Sequence, residues 1–403
     1  MTVIVEKPYQ FVPPHRGDGW PTWIQRLRLV DRYLHRKEGI VDYEVRNLGV
    51  IRNSLANGDA VLLAPNHCRY ADPLVLGWPA RQLKRHVFAV ASWHLFNKNW
   101  FESFAIQKMG GFSLFREGTD RQSLQTAIDI LYRAERPLIL FPEGTTNRSN
   151  DYLQPLLDGV SFLARTAAKR RAKDQLGRVV IHPVGIKYVF QGEIIPWADQ
   201  ALERLERQIK WRFVPKTPLL PRIRRLADAL LTLQEIHYLG TPQSGPLYQR
   251  RVKLTEALLE PLEQHHGVTK PKDAAAHRVR ELRSLLLPKL LAADSSGLKE
   301  SLRAELHRVE LARKLDSYSE GYLREAPVTD TRILETIQRM QEDFLGSVDS
   351  STPLKVIIQF DDPIVVPTDR PPRGQRDPLM EQLEQRLKAL LSLLQHEARL
   401  FHE

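Results

Sequence analysis

The sequence predicts an α/β fold: a mixed, largely parallel sheet flanked by helices, with a long helical insertion before the last strand and a C-terminal helix. Two observations carry this prediction. Short, continuous apolar runs alternate with helical stretches, which is typical of strands buried on both faces of a layered α/β protein. A further strand-like run at residues 355–366, rich in Val and Ile, follows the mainly helical stretch 197–350. We therefore expect the chain to leave the sheet and return to it.

Residues 1–58 are predicted to be an N-terminal amphipathic helical segment. From residue 20 onward, Trp20, Trp23 and Leu27 are interleaved with basic residues such as Arg26 and Arg32. Aromatic rings beside arginines suit a bilayer interface, where the ring is buried and the charge stays in water. The same apolar face would equally suit packing against the body of the protein, so both interpretations stay open.

Residues 59–196 form the predicted α/β core. Two of its helices have end signals in the sequence. A capping box of Thr119 and Gln122 predicts the start of one helix, and a cluster of cations predicts the C-terminal end of another, at about residues 157–173. Its expected strands lie at residues 60–64, 87–91, 112–115, 137–141 and 179–186.

Residues 197–350 are the predicted helical insertion, of unknown role, with breaks at 215–221, 240–246 and 271. Residues 351–403 contain the returning strand and a last helix. Asp377 as N-cap and Pro378 at the first helical position predict where that helix begins.

Composition and charge limit the classes of function that are possible for this chain. The chain has 403 residues, is 42% hydrophobic and 27% charged, and carries a net charge of +11, which fits a folded protein. Residues 1–196 hold 27 basic and 18 acidic side chains, so an anionic partner is expected: a phosphate-bearing substrate, an anionic lipid surface or nucleic acid. A solvated basic surface without a partner explains the charge equally well. Nucleic acid is disfavoured because no nucleic-acid-binding motif is present.

A single cysteine, Cys68, excludes an internal disulfide and favours a reducing compartment. We find no signal peptide and no apolar run long enough to span a bilayer. The expected location is therefore cytoplasmic, with peripheral attachment to the membrane.

The first candidate site follows the strand at 60–64, where open α/β sheets place their ligands. Asn66 and His67 are followed by Asp72, five residues after the histidine. A turn can bring the Asp72 carboxylate to one ring nitrogen of His67, leaving the other as a general base. Asp72 before Pro73 also reads as an ordinary helix start, with Asp72 as N-cap.

Three more segments end strands with polar residues. Arg116 offers the bidentate geometry that phosphate favours, unless it pairs with Glu117 or Glu143. Glu143, in the run Phe-Pro-Glu-Gly-Thr, could accept hydrogen bonds from a hydroxyl substrate, or could be a solvated turn residue. Pro183, in the run Pro-Val-Gly, could also be a proline at a strand edge or bulge.

Taken in order, these motifs resemble the glycerolipid acyltransferase family, which includes 1-acylglycerol-3-phosphate acyltransferases. The motifs are Asn-His-x4-Asp, Gly-Gly-Phe-x3-Arg, Phe-Pro-Glu-Gly-Thr and Pro-Val-Gly, and they lie within about residues 40–196. The resemblance implies that residues 59–196 are an acyltransferase core and that the chain moves a fatty acyl group from an acyl-CoA or acyl-carrier-protein thioester to a hydroxyl of a lysophospholipid or glycerol-phosphate acceptor.

By this resemblance His67 is the base and Asp72 its orienting partner. Arg116 would hold the acceptor phosphate, and Glu143 and Gly144 would help bind the glycerol backbone. Asn66 and Thr145 would also belong to the substrate-binding site, and Pro183 would shape its wall. The expected partners are the thioester donor, the lipid acceptor and a membrane surface. A thioester is already activated, so no metal and no cofactor beyond the co-substrate is expected.

One departure from the family motifs matters. Thr146 stands where family members often have arginine, with Arg148 two residues later. A transacylase, or an enzyme for another lipid, is therefore an alternative, and so is a catalytically silent lipid-binding or scaffold protein that works through its insertion. Cys68 beside His67 raises the possibility of a nucleophile, although an isolated cysteine is usually a packing residue.

Overall fold

The computed structural model describes residues 7–118, 120–211, 217–268, 274–318, 321–324, 327–348, 352–369, 371–372 and 375–402. Within them the chain forms an eight-stranded mixed sheet covered by helices on both faces, which confirms the predicted fold class. The strands are β1 (Ile40–Arg46), β2 (Ala60–Pro65), β3 (Phe88–Ser92), β4 (Gly111–Leu114), β5 (Leu138–Ile139), β6 (Val179–Phe190), β7 (Leu354–Phe360) and β8 (Ile364–Val365).

The helices precede, connect and follow these strands. They are α1 (Gly19–Arg26), α2 (Leu29–Glu38), α3 (Gly49–Ala56), α4 (Asp72–Val75), α5 (Gly77–Gln82), a 3₁₀ turn (Trp93–Asn97), α6 (Trp100–Lys108), α7 (Arg121–Arg133), α8 (Gly159–Lys173), α9 (Ile194–Gln208), α10 (Leu219–Leu239), α11 (Leu247–His266), α12 (Ala275–Ala292), α13 (Ser296–Asp316), α14 (Asp330–Leu345) and α15 (Pro378–Gln395). In the part of the chain that is described, no helix has both the length and the apolar character that crossing a bilayer requires.

The sheet order is β1-β7-β6-β2-β5-β3-β4, with β8 beside β6. The strands from β6 to β4 in this order run parallel to their neighbours, whereas β7 is antiparallel to β6 and parallel to β1. The carboxyl ends of the parallel strands therefore meet at one edge, where α/β sheets carry their sites. The loops after β2, β4 and β5 carry the three loop motifs found in the sequence.

The largest difference from the sequence-based expectation is β1. Residues 20–58 were expected to be amphipathic helix, but Ile40–Arg46 is a strand that pairs with β7. The residues Val41, Tyr43 and Val45 alternate with charged ones, a period of two that belongs to a strand rather than a helix.

Smaller differences concern element ends. The stretch 137–141 narrows to Leu138–Ile139, and β6 runs four residues beyond its predicted end, to Phe190. Thr119 of the predicted capping box lies outside the described residues. The N-cap of α7 is Asp120, whose Oδ1 accepts a hydrogen bond from the Ser123 N–H at 3.0 Å.

Two apolar cores cover the two faces of the sheet. One core lies between β1, β6 and β7 and the helices α2, α9, α14 and the start of α10. Val61 and Leu63 of β2 belong to this core. The other joins the opposite face, including Leu62 itself, to α7, α8 and α15. Because successive strand residues point to opposite faces, strands buried on both sides are apolar throughout, which explains the continuous runs in the sequence.

The insertion divides into two parts. Helices α9 and α14 and the first half of α10 pack on the sheet, whereas α11, α12 and α13 build a third apolar core of their own from residues such as Leu258, Leu286 and Val309. Phe115, just after β4, packs against this third core. The three-helix layer therefore touches the loop that carries Arg116.

The C-terminal helix begins as predicted. The Asp377 side chain accepts a hydrogen bond from the Leu379 N–H at 2.9 Å and pairs with Arg165 of α8 at 2.7 Å. Its leucines pack on β6 so closely that a Cβ on Gly185 would stand 2.8 Å from a methyl carbon of Leu394. Helix α15 thus closes one face of the sheet.

Candidate active site

The loop after β2 brings His67 and Asp72 together. The chain leaves β2 at Pro65, turns, and enters α4 at Asp72, which sets the carboxylate Oδ2 2.9 Å from His67 Nδ1. Asp72 is fully buried and His67 is 9% exposed. Since a carboxylate only accepts, Nδ1 carries the proton and Nε2 keeps its lone pair. Among the described residues Nε2 has no hydrogen-bond partner, so it is available to a substrate.

The Asp72 carboxylate is held by two more donors. The Arg69 N–H donates to Oδ2 at 2.9 Å and the Tyr188 hydroxyl to Oδ1 at 2.7 Å. The helix-cap alternative for Asp72 is wrong in detail, because Ala71 is the N-cap residue and the carboxylate makes no cap bond. These hydrogen bonds fix the position of the carboxylate beside His67.

The His67 ring and backbone are fixed separately. The ring stacks on Phe141, with centroids 3.9 Å apart, and the His67 N–H donates to Glu143 Oε1 at 2.5 Å. Both partners belong to the loop after β5, the neighbour of β2 in the sheet. This loop therefore positions the proposed base.

Glu143 is buried, and its oxygens are occupied by the chain itself. Oε2 accepts from the Gln154 N–H at 2.8 Å and from the Asn147 side-chain amide at 3.3 Å. Burial raises the pKa of Glu143 to about 8, although the two backbone N–H donors act in the opposite direction. The following Gly144 has φ +70°, a conformation that glycine adopts without strain. In this structure Glu143 supports His67 and the loop.

Asn66 and Pro183 lie where β2 meets β6. The Asn66 side chain donates to the Ile186 carbonyl at 3.0 Å and accepts from the Ile186 N–H at 2.7 Å. Pro183 is buried in β6 between the residues that pair with β7 and those that pair with β8. Because neither strand pairs with β6 at Pro183, the missing N–H of the proline removes no hydrogen bond between strands. Both residues hold the walls of the site together.

Cys68 has the environment of an inert cysteine. It is 1% exposed, and burial raises the pKa of its thiol well above the ordinary value, with the charge of Asp72 adding to the effect. Its Sγ lies 3.4 Å from Asn150 Oδ1. Because the thiolate is the nucleophile, a thiol held neutral does not serve as one.

We expect Cys68→Ala to keep kcat within about threefold of wild type, since the substitution removes a buried packing residue and no reacting group. Thiol alkylation should likewise leave the folded enzyme active. The measurement is acyl transfer before and after iodoacetamide treatment. Loss of activity in both experiments would instead assign Cys68 to the chemistry.

Arg116 lies in the loop after β4 and forms neither of the ion pairs considered for it. Glu117 pairs with Arg283 of α12 at 2.9 Å, and Glu143 is occupied as described. Burial lowers the pKa of Arg116 below its ordinary value, Glu117 opposes this, and the positive charges of Arg283 and Arg280 lower it further. The insertion therefore places positively charged side chains of α12 near this loop.

Arg148 has a partner of its own. Its Nε pairs with Glu342 of α14, and the two line a cavity of about 270 Å³ together with Arg69 and Lys37. Thr145 and Thr146 are partly exposed in the loop after Gly144.

The residues beneath the His67–Asp72 pair were not predicted from the sequence. Tyr188 lies in the part of β6 beyond the predicted end. The side-chain amide of Asn150 donates to the Tyr188 carbonyl and accepts from the Tyr188 N–H, at 2.9 Å each. Asn150 also contacts Glu335 of α14, whose pKa burial raises to about 7. The apolar run Tyr188-Val189-Phe190, which follows Lys187, was the available signal for Tyr188, whereas nothing local marks Glu335.

A group that could hold a metal ion lies on the three-helix layer, away from these loops. It consists of His265, His266 and Glu305. The ammonium of Lys289 lies 2.8 Å from Nδ1 of His266. Because this side chain is itself positively charged, it disfavours the binding of a metal cation to the same group.

A comparison with known families concerns the same part of the chain. Residues 43–187 match the sequence model of the family described as Acyltransferase, the glycerolipid acyltransferase family. The match includes the loops that carry His67, Asp72, Arg116 and Glu143. No curated protein sequence matches the chain.

Proposed function

We propose that the chain, an acyltransferase whose residues 43–187 match the model of the Acyltransferase family, acylates a hydroxyl of a lysophospholipid or glycerol-phosphate acceptor. The donor is an acyl-CoA or acyl-carrier-protein thioester, and the preferred reaction converts 1-acylglycerol-3-phosphate to phosphatidic acid. The observation that carries the proposal is the His67–Asp72 pair at 2.9 Å, with Nε2 of His67 available.

In the proposed mechanism Nε2 of His67 removes the proton of the acceptor hydroxyl. The oxygen attacks the thioester carbonyl, and the tetrahedral intermediate collapses by breaking the carbon–sulfur bond. The departing thiolate takes the proton back from the His67 imidazolium. Asp72 stabilises that imidazolium and fixes the ring, so no covalent enzyme intermediate, metal or further cofactor is needed.

The remaining roles follow from position. Arg116 would bind the acceptor phosphate. Gly144 and Thr145 would meet the glycerol backbone, and Glu143 would act on the reaction by holding the backbone of His67. Asn66 and Pro183 would keep the walls of the site in place through β6.

The test is an assay of purified protein with oleoyl-CoA, then an oleoylated carrier protein, against lysophosphatidate, glycerol 3-phosphate and a neutral monoacylglycerol. Released thiol and new lipid are measured together. Equal amounts of both with a phosphate acceptor would support the proposal. Thiol release without lipid product would mean hydrolysis, and product from a phospholipid donor alone would favour the transacylase suggested by Thr146.

We propose also that the protein attaches peripherally to membranes through an aromatic surface formed by Trp20, Trp23, Trp100, Phe101 and Phe104. Trp100 is 77% and Phe101 69% exposed, and the Phe104 ring bridges α1 and α6. The ammonium of Lys108 lies 5.4 Å from the Phe104 ring centroid. Aromatic rings beside cations fit the headgroup region of an anionic bilayer.

Replacing both Trp100 and Phe101 by alanine is expected to weaken binding to phosphatidylglycerol vesicles at least about tenfold, because two large side chains lose their apolar burial. Vesicle sedimentation measures this. Leu393→Ala is the matched control, since Leu393 is 59% exposed on α15. Equal binding by both variants would place the membrane contact elsewhere.

A further inference from the structure

The loop that carries Arg116 is clamped by the helical insertion. Phe115 packs into the apolar core of α11–α13, and the buried Glu117, 4% exposed, accepts from Arg283 Nη2 at 2.9 Å. Arg116 lies between these two anchored residues. Its position is therefore set by α12 as much as by β4.

Helix α12 brings a second cation to the same place. Arg280 precedes Arg283 by three residues, so both project from one face of α12. Arg280 is exposed and lies about one helical turn before Arg283, whose guanidinium is 2.9 Å from the carboxylate of Glu117, the residue next to Arg116. In agreement with this position, the charge of Arg280 contributes to lowering the pKa of Arg116. Within the described part of the chain, neither Arg116 nor Arg280 has a carboxylate within ion-pair distance.

The other cations nearby are compensated. Arg283 binds Glu117 and, at 3.4 Å, Glu310 of α13, and Arg313 binds Glu310 at 2.6 Å. Glu117 is the acidic side chain that acts on Arg116, but its carboxylate is already paired with Arg283, so Arg116, Arg280, Arg283 and Arg313 share the charges of only Glu117 and Glu310. An anion bound between Arg116 and Arg280 would balance this excess of positive charge. A phosphate monoester carries up to two negative charges, which matches this pair.

We propose that the insertion completes the acceptor site: Arg280 is a second phosphate-binding residue beside Arg116, and Arg283 is a positioning residue that holds the Glu117 loop. The site thereby selects acceptors with a terminal phosphate monoester over neutral ones. This inference rests on the proposed acyltransferase function. It assigns the insertion a part in substrate choice.

The test compares Arg280→Gln with Arg308→Gln, steady-state kinetics being measured with lysophosphatidate and with monoacylglycerol. Arg308 is exposed on α13 two residues before Glu310, and therefore on the opposite side of that helix. Both variants remove one positive charge, so any general effect on vesicle attraction is matched. We expect Arg280→Gln to raise KM for lysophosphatidate about tenfold with kcat nearly unchanged, and to leave KM for monoacylglycerol as it was.

Inorganic phosphate supplies a second readout. It should inhibit competitively with lysophosphatidate, and its inhibition constant should rise in Arg280→Gln by about the same factor as KM. The KM of Arg283→Lys for lysophosphatidate should stay closer to the wild-type value than that of Arg283→Gln, because lysine can still pair with Glu117. Identical KM and inhibition constants for the two glutamine variants would overturn the inference while leaving the acyltransferase proposal standing. Wild-type enzyme inactive with every phosphate acceptor but active with monoacylglycerol would overturn both.

Discussion

His67→Ala is expected to lower kcat about 10²–10⁴-fold, because the acceptor hydroxyl then loses its base while the binding groups remain. KM for both substrates should change little. The ring also stacks on Phe141 and donates to Asp72, so we expect a loss of unfolding free energy of about 1–3 kcal/mol, too little to unfold the protein. The measurement is coupled thiol and lipid formation, with the thermal transition of each protein recorded alongside.

His396→Ala is the control for this variant, since His396 is exposed at the end of α15. It should behave as wild type in both measurements. If His67→Ala kept a tenth or more of the wild-type kcat, His67 would not be the base. An inactive but unfolded variant is recognised by its lost thermal transition, and His67→Gln then replaces it.

Asp72→Asn is expected to lower kcat by a comparable factor, about 10³–10⁴-fold. The carboxylate accepts from two N–H groups and one hydroxyl, and an amide in its place must turn its NH₂ group toward one of them. If it faces His67, the amide donates to Nδ1, the proton moves to Nε2, and the base is lost. If it faces Tyr188, the negative charge that stabilises the imidazolium is still missing.

Tyr188→Phe separates these effects. It removes one hydrogen bond to Asp72 Oδ1 and keeps the carboxylate, so kcat should fall only about tenfold or less. Both variants are assayed with the same donor and acceptor across a range of pH. If Asp72→Asn were no slower than Tyr188→Phe, the charge of Asp72 would be irrelevant, and Asp72 would serve only to shape the loop.

The strands and site loops were predictable because their signals are local. A continuous apolar run followed by a loop of polar residues marks the end of a buried parallel strand, and β2, β3 and β4 lie within one residue of their predicted limits. The His67–Asp72 contact was predictable because five residues span one turn. β1 was missed because its helical neighbours on both sides concealed seven residues of strand period.

What the sequence alone determined is the layered α/β class, the order of the motifs and the family of residues 43–187, since each depends on residues close together in the chain. Only the tertiary structure decided that Tyr188 supports Asp72, 116 residues away, and that one carboxylate oxygen of Glu143 accepts a hydrogen bond from the backbone of His67. It also decided that Arg283 reaches Glu117 across 166 residues. Contacts of this kind depend on sheet order and on how the insertion folds back, and neither leaves a local pattern in the sequence.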